Sequence, residues 1–369
     1  MRVLFLYLNA FSAVGGIQKF NKNLVRALEE LVFDTVCYSL HDLKTDFPKT
    51  TTRTKFFSAT GNKVKFIINS LKYSTTTDTI LIAHINLTFP LALLIKVFLP
   101  KKKIILITHG IEIWQNLSWS KKIGLKACNE IVTVSNYTRQ QIINKHKITP
   151  SRIKILHNTI DEDFKPYEKD GKPIDLLQKY HLTGVEKIIL TVCRLNSTEK
   201  NKGYDKVIEM LPRIIKTNPS VKYILVGKGD INEINRIKSL ITSLGLDDYV
   251  ILTGYVSEDD LPKYYALCDV FIMPSEKEGF GIVFLEALVS GKLVIGGNRD
   301  GSVDALLNGR LGTLINPRSA DEIYSSLLSK ITMNDEEIKK ISPEIKRITQ
   351  ENFGFSNFKK NILEILCRK

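Results

Sequence analysis

Short apolar runs alternate with longer amphipathic stretches along the whole chain, the pattern of βαβ units and parallel sheets. In the first half the strand-like runs are 2–8, 34–39, 79–84, 103–108, 130–134 and 153–156. Helical periodicity appears at about 17–32, 62–74, 88–98 and 135–146, and Ser135 is placed to cap the last of these. A polar stretch from Asp161 to Tyr167 reads as a linker. A second series follows, with strands at 187–193, 222–226, 249–252, 269–273 and 292–295. Its helices fall at about 203–217, 231–244, 259–267, 281–290 and 319–331, and the chain closes on a helix at 356–367 with Ser356 as a candidate cap. The expected fold class is α/β, with two doubly wound parallel-sheet domains at 1–165 and 166–350. A C-terminal helix at 351–369 is free to return to the first domain. Such sheets bind ligands at the carboxyl ends of their strands, and two of them facing each other leave a cleft there.

The chain length, 369 residues, agrees with two domains. Hydrophobic residues at 43% and charged residues at 25% exclude a disordered, collagen-like or disulfide-scaffold chain. The five cysteines, Cys37, Cys128, Cys193, Cys268 and Cys367, are odd in number, widely spaced and without a C-x-x-C. That argues against a disulfide framework or a zinc site and for a reducing, cytoplasmic setting. The opening run reads as a buried strand rather than a signal peptide. Residues 87–99 are apolar but short, and Pro90 and Lys96 interrupt them, so a buried helix is expected there rather than a membrane span.

Charge changes the picture more. The formal net charge is +14, and it is lopsided. Residues 1–165 hold 24 Lys+Arg against 11 Asp+Glu, leaving 29 against 28 for the rest. One domain is therefore suited to an anionic surface, whether nucleic acid, acidic membrane or anionic substrate. Residues 53–72 interleave Arg53, Lys55, Lys63, Lys65 and Lys72 with Phe56, Phe57, Phe66 and Ile67, and Lys101, Lys102 and Lys103 form a second cluster. This suits peripheral attachment to anionic lipid, and equally an ordinary solvated basic face.

Three motifs carry candidate chemistry. Gly15-Gly16 follows the first strand and precedes a helix, where glycines let backbone N–H groups approach a phosphate. The G-x-G-x-x-G spacing is absent, and a plain tight turn reads as well. Arg194 ends the strand 187–193, with Lys202-Gly203 eight residues on. Two cations at one sheet edge suit a diphosphate, although the segment between them also reads as a solvated loop. The most informative motif is 274–287, PSEKEGFGIVFLEA, in which Glu278 and Glu286 are eight residues apart and Gly279 and Gly281 open an apolar helix. Free N–H groups and the positive dipole end there suit a phosphate or sugar hydroxyl. A carboxylate inside the helix needs partners, which a ribose or an internal ion pair would supply.

In this context the chain resembles the retaining nucleotide-sugar glycosyltransferases of family 4, bacterial surface-polysaccharide type, with the GT-B architecture. Their E-x7-E signature matches Glu278 and Glu286 with the flanking P-S-x-x-E-G-F-G. The resemblance continues through Gly15-Gly16, His109-Gly110, Val134-Ser135, Asn158 to Asp161, Arg194, Lys202-Gly203, 227–229, Gly254-Tyr255 and Gly312. It implies that Gly15 and Gly16 meet the donor phosphate and that Arg194 and Lys202 neutralise the leaving diphosphate. Glu278 would hold sugar hydroxyls, with Gly279, Phe280, Gly281, Ile282 and Val283 lining that corner. Glu286 would bind the ribose, and Tyr255 would lie near the base. His109, which could equally be a hydrogen-bonded structural residue, would orient sugar and acceptor.

The implied reaction moves a sugar from a UDP- or GDP-sugar to a hydroxyl of a glycan or lipid-linked acceptor. It needs no cofactor and no metal. The literal D-x-D at Asp161-Glu162-Asp163 falls in the linker and reads as solvated charge. An epimerase or phosphorylase of the same architecture is a rival reading. A basic nucleic-acid-binding protein is another, but no recognition-helix, zinc or aromatic-ribonucleoprotein motif supports it. The chain departs from the family in two places. Thr159 follows Asn158 where Gly is usual, and the usual Gly-Gly…Glu loop reads Gly296-Gly297-Asn298-Arg299-Asp300-Gly301-Ser302-Val303-Asp304.

Overall fold

The structure, a computed structural model, describes residues 1–49, 51–169 and 171–367. Asp170 and residues 368–369, which the sequence assigns to the second domain and the final helix, lie outside the described residues. The chain forms two compact units, one of Met1–Asp161 together with the segment from Gly354 onward, the other of Glu162–Phe353.

The first unit is built on β1 (Arg2–Tyr7), β2 (Asp34–Ser39), β3 (Thr54–Ser58), β4 (Thr79–Ile82), β5 (Lys103–Thr108), β6 (Glu130–Thr133) and β7 (Ile153–Ile155). They lie in the order β3-β2-β1-β4-β5-β6-β7, and every pairing is parallel. Residues 3–7 of β1 and 104–106 of β5 are wholly buried, because helices cover both faces of a parallel sheet. The helix Phe355–Cys367 belongs to this unit. Phe358 meets Phe20 edge-on at 5.7 Å, Lys359 pairs with Glu30 at 2.5 Å, and Lys103 donates to the Ile365 carbonyl at 3.2 Å.

One strand of this sheet is missing from the sequence reading. Residues 53–72 comprise the edge strand β3, which the sequence did not announce, and most of the helix Lys63–Thr76, which it placed at about 62–74. In β3 the buried positions are Thr54 and Ser58, while Lys55 and Phe57 face out, so its hydrophobic signal is weak. The lysine cluster at 101–103 is corrected as well. Lys102 donates to the carbonyls of Thr75 and Thr77, and Lys103 pairs with Glu130, which leaves Lys101 as the exposed member.

The second unit carries β8 (Lys187–Val192), β9 (Val221–Val226), β10 (Val250–Gly254), β11 (Val270–Met273), β12 (Leu293–Gly297) and β13 (Thr313–Ile315). The order is β10-β9-β8-β11-β12-β13, again parallel throughout. The strand order reverses between β8 and β11, and a doubly wound sheet binds its ligands at such a switch point. The short β13 and the helix Asp335–Phe353 go beyond the sequence reading. That helix buries only Ile348, Thr349 and Phe353 and contains Pro343, so its apolar stripe is thin. Its last residue, Phe353, packs edge-on against Phe280 at 5.5 Å and anchors the loop that follows β11.

Candidate functional site

The switch point brings the loop after β8 against the loop after β11. Gly203 makes the contact possible. Its φ of 78° is left-handed, and a Cβ there would lie 2.4 Å from the Pro274 carbonyl oxygen. This close approach places the Lys202 ammonium 2.5 Å from Glu278 Oε2, with both side chains mostly buried. Burial works against the Lys202 charge, but the Glu278 carboxylate, with smaller help from Cys193 and Asp300, holds its pKa above the usual lysine value.

Glu278 begins an amide-rich corner. The Gly279 N–H donates to its Oε1 at 3.1 Å. Phe280 is buried, and the helix Ile282–Val289 starts behind Gly281, burying Ile282 and leaving Val283 half-buried. Glu286 lies one turn into that helix and is 1% exposed. It accepts a hydrogen bond from the Tyr265 hydroxyl at 2.8 Å. Burial, and then the adjacent Glu286 charge, push the Tyr265 hydroxyl well above its ordinary pKa. The expected partners of Glu286 were a ribose or an internal cation; Tyr265 is a third answer to the same requirement.

Not every expected residue joins this corner. Arg194 is on the β8 loop, but its side chain is 73% exposed and pairs with Glu199 at 4.0 Å. Tyr255 follows β10, two strands from the switch point, and is 60% exposed.

The remaining expected residues are in the first unit, at the carboxyl edge of its own sheet. Gly15 caps the helix Gly16–Glu30, and a Cβ at Gly16 would meet nothing within 4 Å, so that helix start is open to close approach. Asp42 organises the loop before it, accepting from the backbone N–H groups of Ala10, Phe11 and Ser12 and from the Ser12 hydroxyl. His109 ends β5. Its Nε2 lies 3.2 Å from the Ala83 carbonyl oxygen, which can only accept, so Nε2 carries the proton and Nδ1 is left as an acceptor. The imidazole also meets Phe20 edge-on at 4.9 Å. Burial lowers its pKa to about 4, against which the Ala83 hydrogen bond acts. It is therefore a neutral hydrogen-bonding group at neutral pH.

Sequence reasoning missed Tyr265, Asp42 and Asp300. The carboxylate of Asp300 accepts from the Glu278 N–H and from the Ser275 hydroxyl, both at 2.7 Å. The signal for it was present, since Asp300 lies in the loop whose sequence departs from the usual pattern. Among the described residues, no group of three or more His, Cys, Asp or Glu side chains is arranged to hold a metal ion.

Residues 14–164 match the family model described as Glycosyltransferase Family 4, and residues 175–347 match the one described as Glycosyl transferases group 1. The chain belongs to these glycosyltransferase families. It is 27% identical over 254 residues to spore coat protein SA of Bacillus subtilis, a match covering 66% of each chain. It is 30% identical over 240 residues to the GDP-mannose-dependent alpha-(1-6)-phosphatidylinositol monomannoside mannosyltransferase of Mycobacterium tuberculosis, covering 62% of this chain and 60% of that one. The chain thus spans a little under two thirds of the length of these curated relatives. Among solved structures, Anabaena HepE in complex with UDP superposes with a TM-score of 0.80 over 99% of both chains, at 19% identity. The fold of this glycosyltransferase chain is accordingly GT-B, with two Rossmann-like α/β domains.

Proposed function

We propose that the protein is a retaining glycosyltransferase. It moves a sugar from a UDP- or GDP-sugar to a hydroxyl of a glycan or lipid-linked acceptor. The observation that carries this reading is the Lys202–Glu278 pair beside an amide-rich helix start, at the strand-order reversal of the second sheet. A donor has a diphosphate, a sugar and a nucleoside. Lys202 supplies charge for the first, Glu278 an acceptor for hydroxyls of the second, and Glu286 an acceptor for the ribose of the third. The names of relatives support a nucleotide-sugar donor: one is GDP-mannose-dependent, and HepE has been solved with UDP-glucose.

In the transfer, the bond from the anomeric carbon to the diphosphate oxygen breaks and a bond from that carbon to the acceptor oxygen forms. The acceptor's proton passes to the departing phosphate oxygen, giving nucleoside diphosphate and glycoside. Lys202 and the backbone amides stabilise charge on the leaving group, a role that elsewhere falls to a metal. Arg194 is free to swing from Glu199 toward the diphosphate. In the first unit, the neutral His109 offers Nδ1 to a hydroxyl, and the open helix start at Gly16 offers N–H groups. The second unit, in this reading, takes the nucleotide sugar and the first the acceptor.

The first unit also carries a surface suited to anionic lipid. Phe98, Trp119, Val64 and Ile68 are exposed large apolar residues, and Lys63, Lys65, Lys96 and Lys122 are exposed beside them in sequence or on the same helices. Among the described residues no helix is long and apolar enough to cross a membrane. The proposed location is cytoplasmic, peripheral on the inner face of the cell membrane.

The reading is tested by a thermal-shift screen of UDP-, GDP- and ADP-sugars, followed by proton NMR of the sugar released or transferred. One donor is expected to raise Tm, since a ligand of the native state alone stabilises it. The first-formed product should keep the donor's anomeric configuration. No shift with any donor, or an inverted product, overturns it.

A further inference from the structure

The Glu278 loop is held by a carboxylate from the neighbouring loop. Asp300 follows β12 and is 1% exposed. Its Oδ2 accepts from the Glu278 N–H and the Ser275 hydroxyl, both at 2.7 Å, and its Oδ1 accepts from the Ser302 N–H at 3.0 Å. A return bond runs from the Gly301 N–H to the Glu278 carbonyl at 2.8 Å. The two loops touch so closely that a Cβ on Gly301 would lie 2.0 Å from the Gly279 carbonyl oxygen. The three hydrogen bonds to the Asp300 carboxylate thus come from neutral donors, and among the described residues it forms no salt bridge.

We propose that Asp300 is a positioning residue whose negative charge clamps the loop carrying Glu278 and the Gly279–Gly281 amides, and that protonating it loosens this donor-binding corner. The inference rests on the reading of Glu278 as a donor contact. A carboxylate satisfies all three donors at once, whereas a carboxylic acid loses an acceptor site facing the Glu278 and Ser302 N–H groups, which can only donate, and its proton can be placed only by turning the Ser275 hydroxyl round. Burial raises the Asp300 carboxyl to about 6, and the bonds from Ser275, Ser302 and Glu278 oppose that rise. The charged groups on the segments around it are Lys202, Glu276, Lys277, Glu278, Arg299 and Asp304. Lys202 is paired with Glu278, Glu276 with Lys206 and Arg318, and Lys277 and Arg299 are exposed. Asp304 lies one helical turn further along, mostly buried. Loss of the Asp300 charge also removes one of the anions that favour the Lys202 ammonium.

The test follows the Glu278 and Ser302 backbone amides by nitrogen-15 NMR between pH 5 and 8, in the wild type, Asp300→Asn and Ser275→Ala. Both amides should shift together with a midpoint near pH 6. The shift should vanish in Asp300→Asn and move to higher pH in Ser275→Ala, which withdraws a bond from the carboxylate. Calorimetric affinity for UDP or GDP should fall at least tenfold below the same midpoint, and Asp300→Asn should flatten that dependence. Amides that do not titrate, or that titrate alike in Asp300→Asn, overturn the inference. So does nucleotide affinity indifferent to pH while the amides titrate. Titrating amides in a protein that binds no nucleotide uphold the clamp and sink the glycosyltransfer reading instead.

Discussion

The Lys202 ammonium and the Glu278 carboxylate meet at 2.5 Å, joining the first and fourth strands of the second sheet through their carboxyl-end loops. They are 76 residues apart in sequence, and the reversal of strand order between β8 and β11 makes them neighbours. The carboxylate keeps a buried cation charged. In the proposed function the pair would thereby hold Lys202 ready for a diphosphate and Glu278 ready for sugar hydroxyls.

Removing either partner therefore affects activity more than folding. Lys202→Met and Glu278→Gln are each expected to lower kcat by about two to three orders of magnitude, the scale of losing one preorganised charge at a transition state. Stability should fall by about 1–3 kcal/mol, the range for a charged hydrogen bond left half-made. Steady-state kinetics alongside urea melts checks both. Wild-type kcat in either variant contradicts the assignment.

The parts of this account legible in the sequence were those written in short-range signals. Continuous aliphatic runs such as 103–108 and 187–192 announced buried parallel strands, and Glu278, Gly279, Gly281 and Glu286 announced the corner after β11. β3 stayed hidden because an edge strand with Lys55 and Phe57 turned outward has no alternation strong enough to read. Tyr265 and Asp300 stayed hidden for another reason. Their roles depend on which loops become neighbours, and Tyr265 is 21 residues from Glu286 while Asp300 is 22 from Glu278. Arg194 and Tyr255 show the reverse case, since motif order alone did not reveal that both would be exposed.

His109 is expected to stay neutral throughout the working range. Its pKa of about 4 lies below the ordinary 6.5, so the unfolded chain binds more protons between those values. Its contribution to stability is full above pH 6.5 and is lost as pH falls toward 4, about 3 kcal/mol in all. Long-range nitrogen NMR should show an uncharged ring with the proton on Nε2 at pH 6, and His109→Gln should shed part of the acid sensitivity of Tm. A ring that titrates near 6.5 contradicts the burial argument.

The Tyr265–Glu286 pair predicts a split between binding and turnover. Glu286→Gln and Tyr265→Phe should raise KM for the donor about tenfold with kcat nearly unchanged, as expected for contacts equal in ground and transition states. Losses confined to kcat would place Glu286 at the reacting centre instead.

The surface proposed to meet anionic lipid is separable from the chemistry. Flotation with vesicles containing anionic lipid should carry the wild type upward at low salt. Trp119→Ser with Phe98→Ser, or high salt, should release it while donor binding stays intact. Flotation indifferent to lipid charge would remove the membrane from the account.

The most direct measurement is isothermal titration of UDP and GDP into the wild type and Lys202→Met at pH 7.5. Binding of one nucleotide to the wild type, weakened at least tenfold by the substitution, is the predicted result. Equal affinity in both proteins, or no heat with either nucleotide, would contradict the claim that the corner of Lys202, Glu278 and the Gly279–Gly281 turn is where an activated sugar is held.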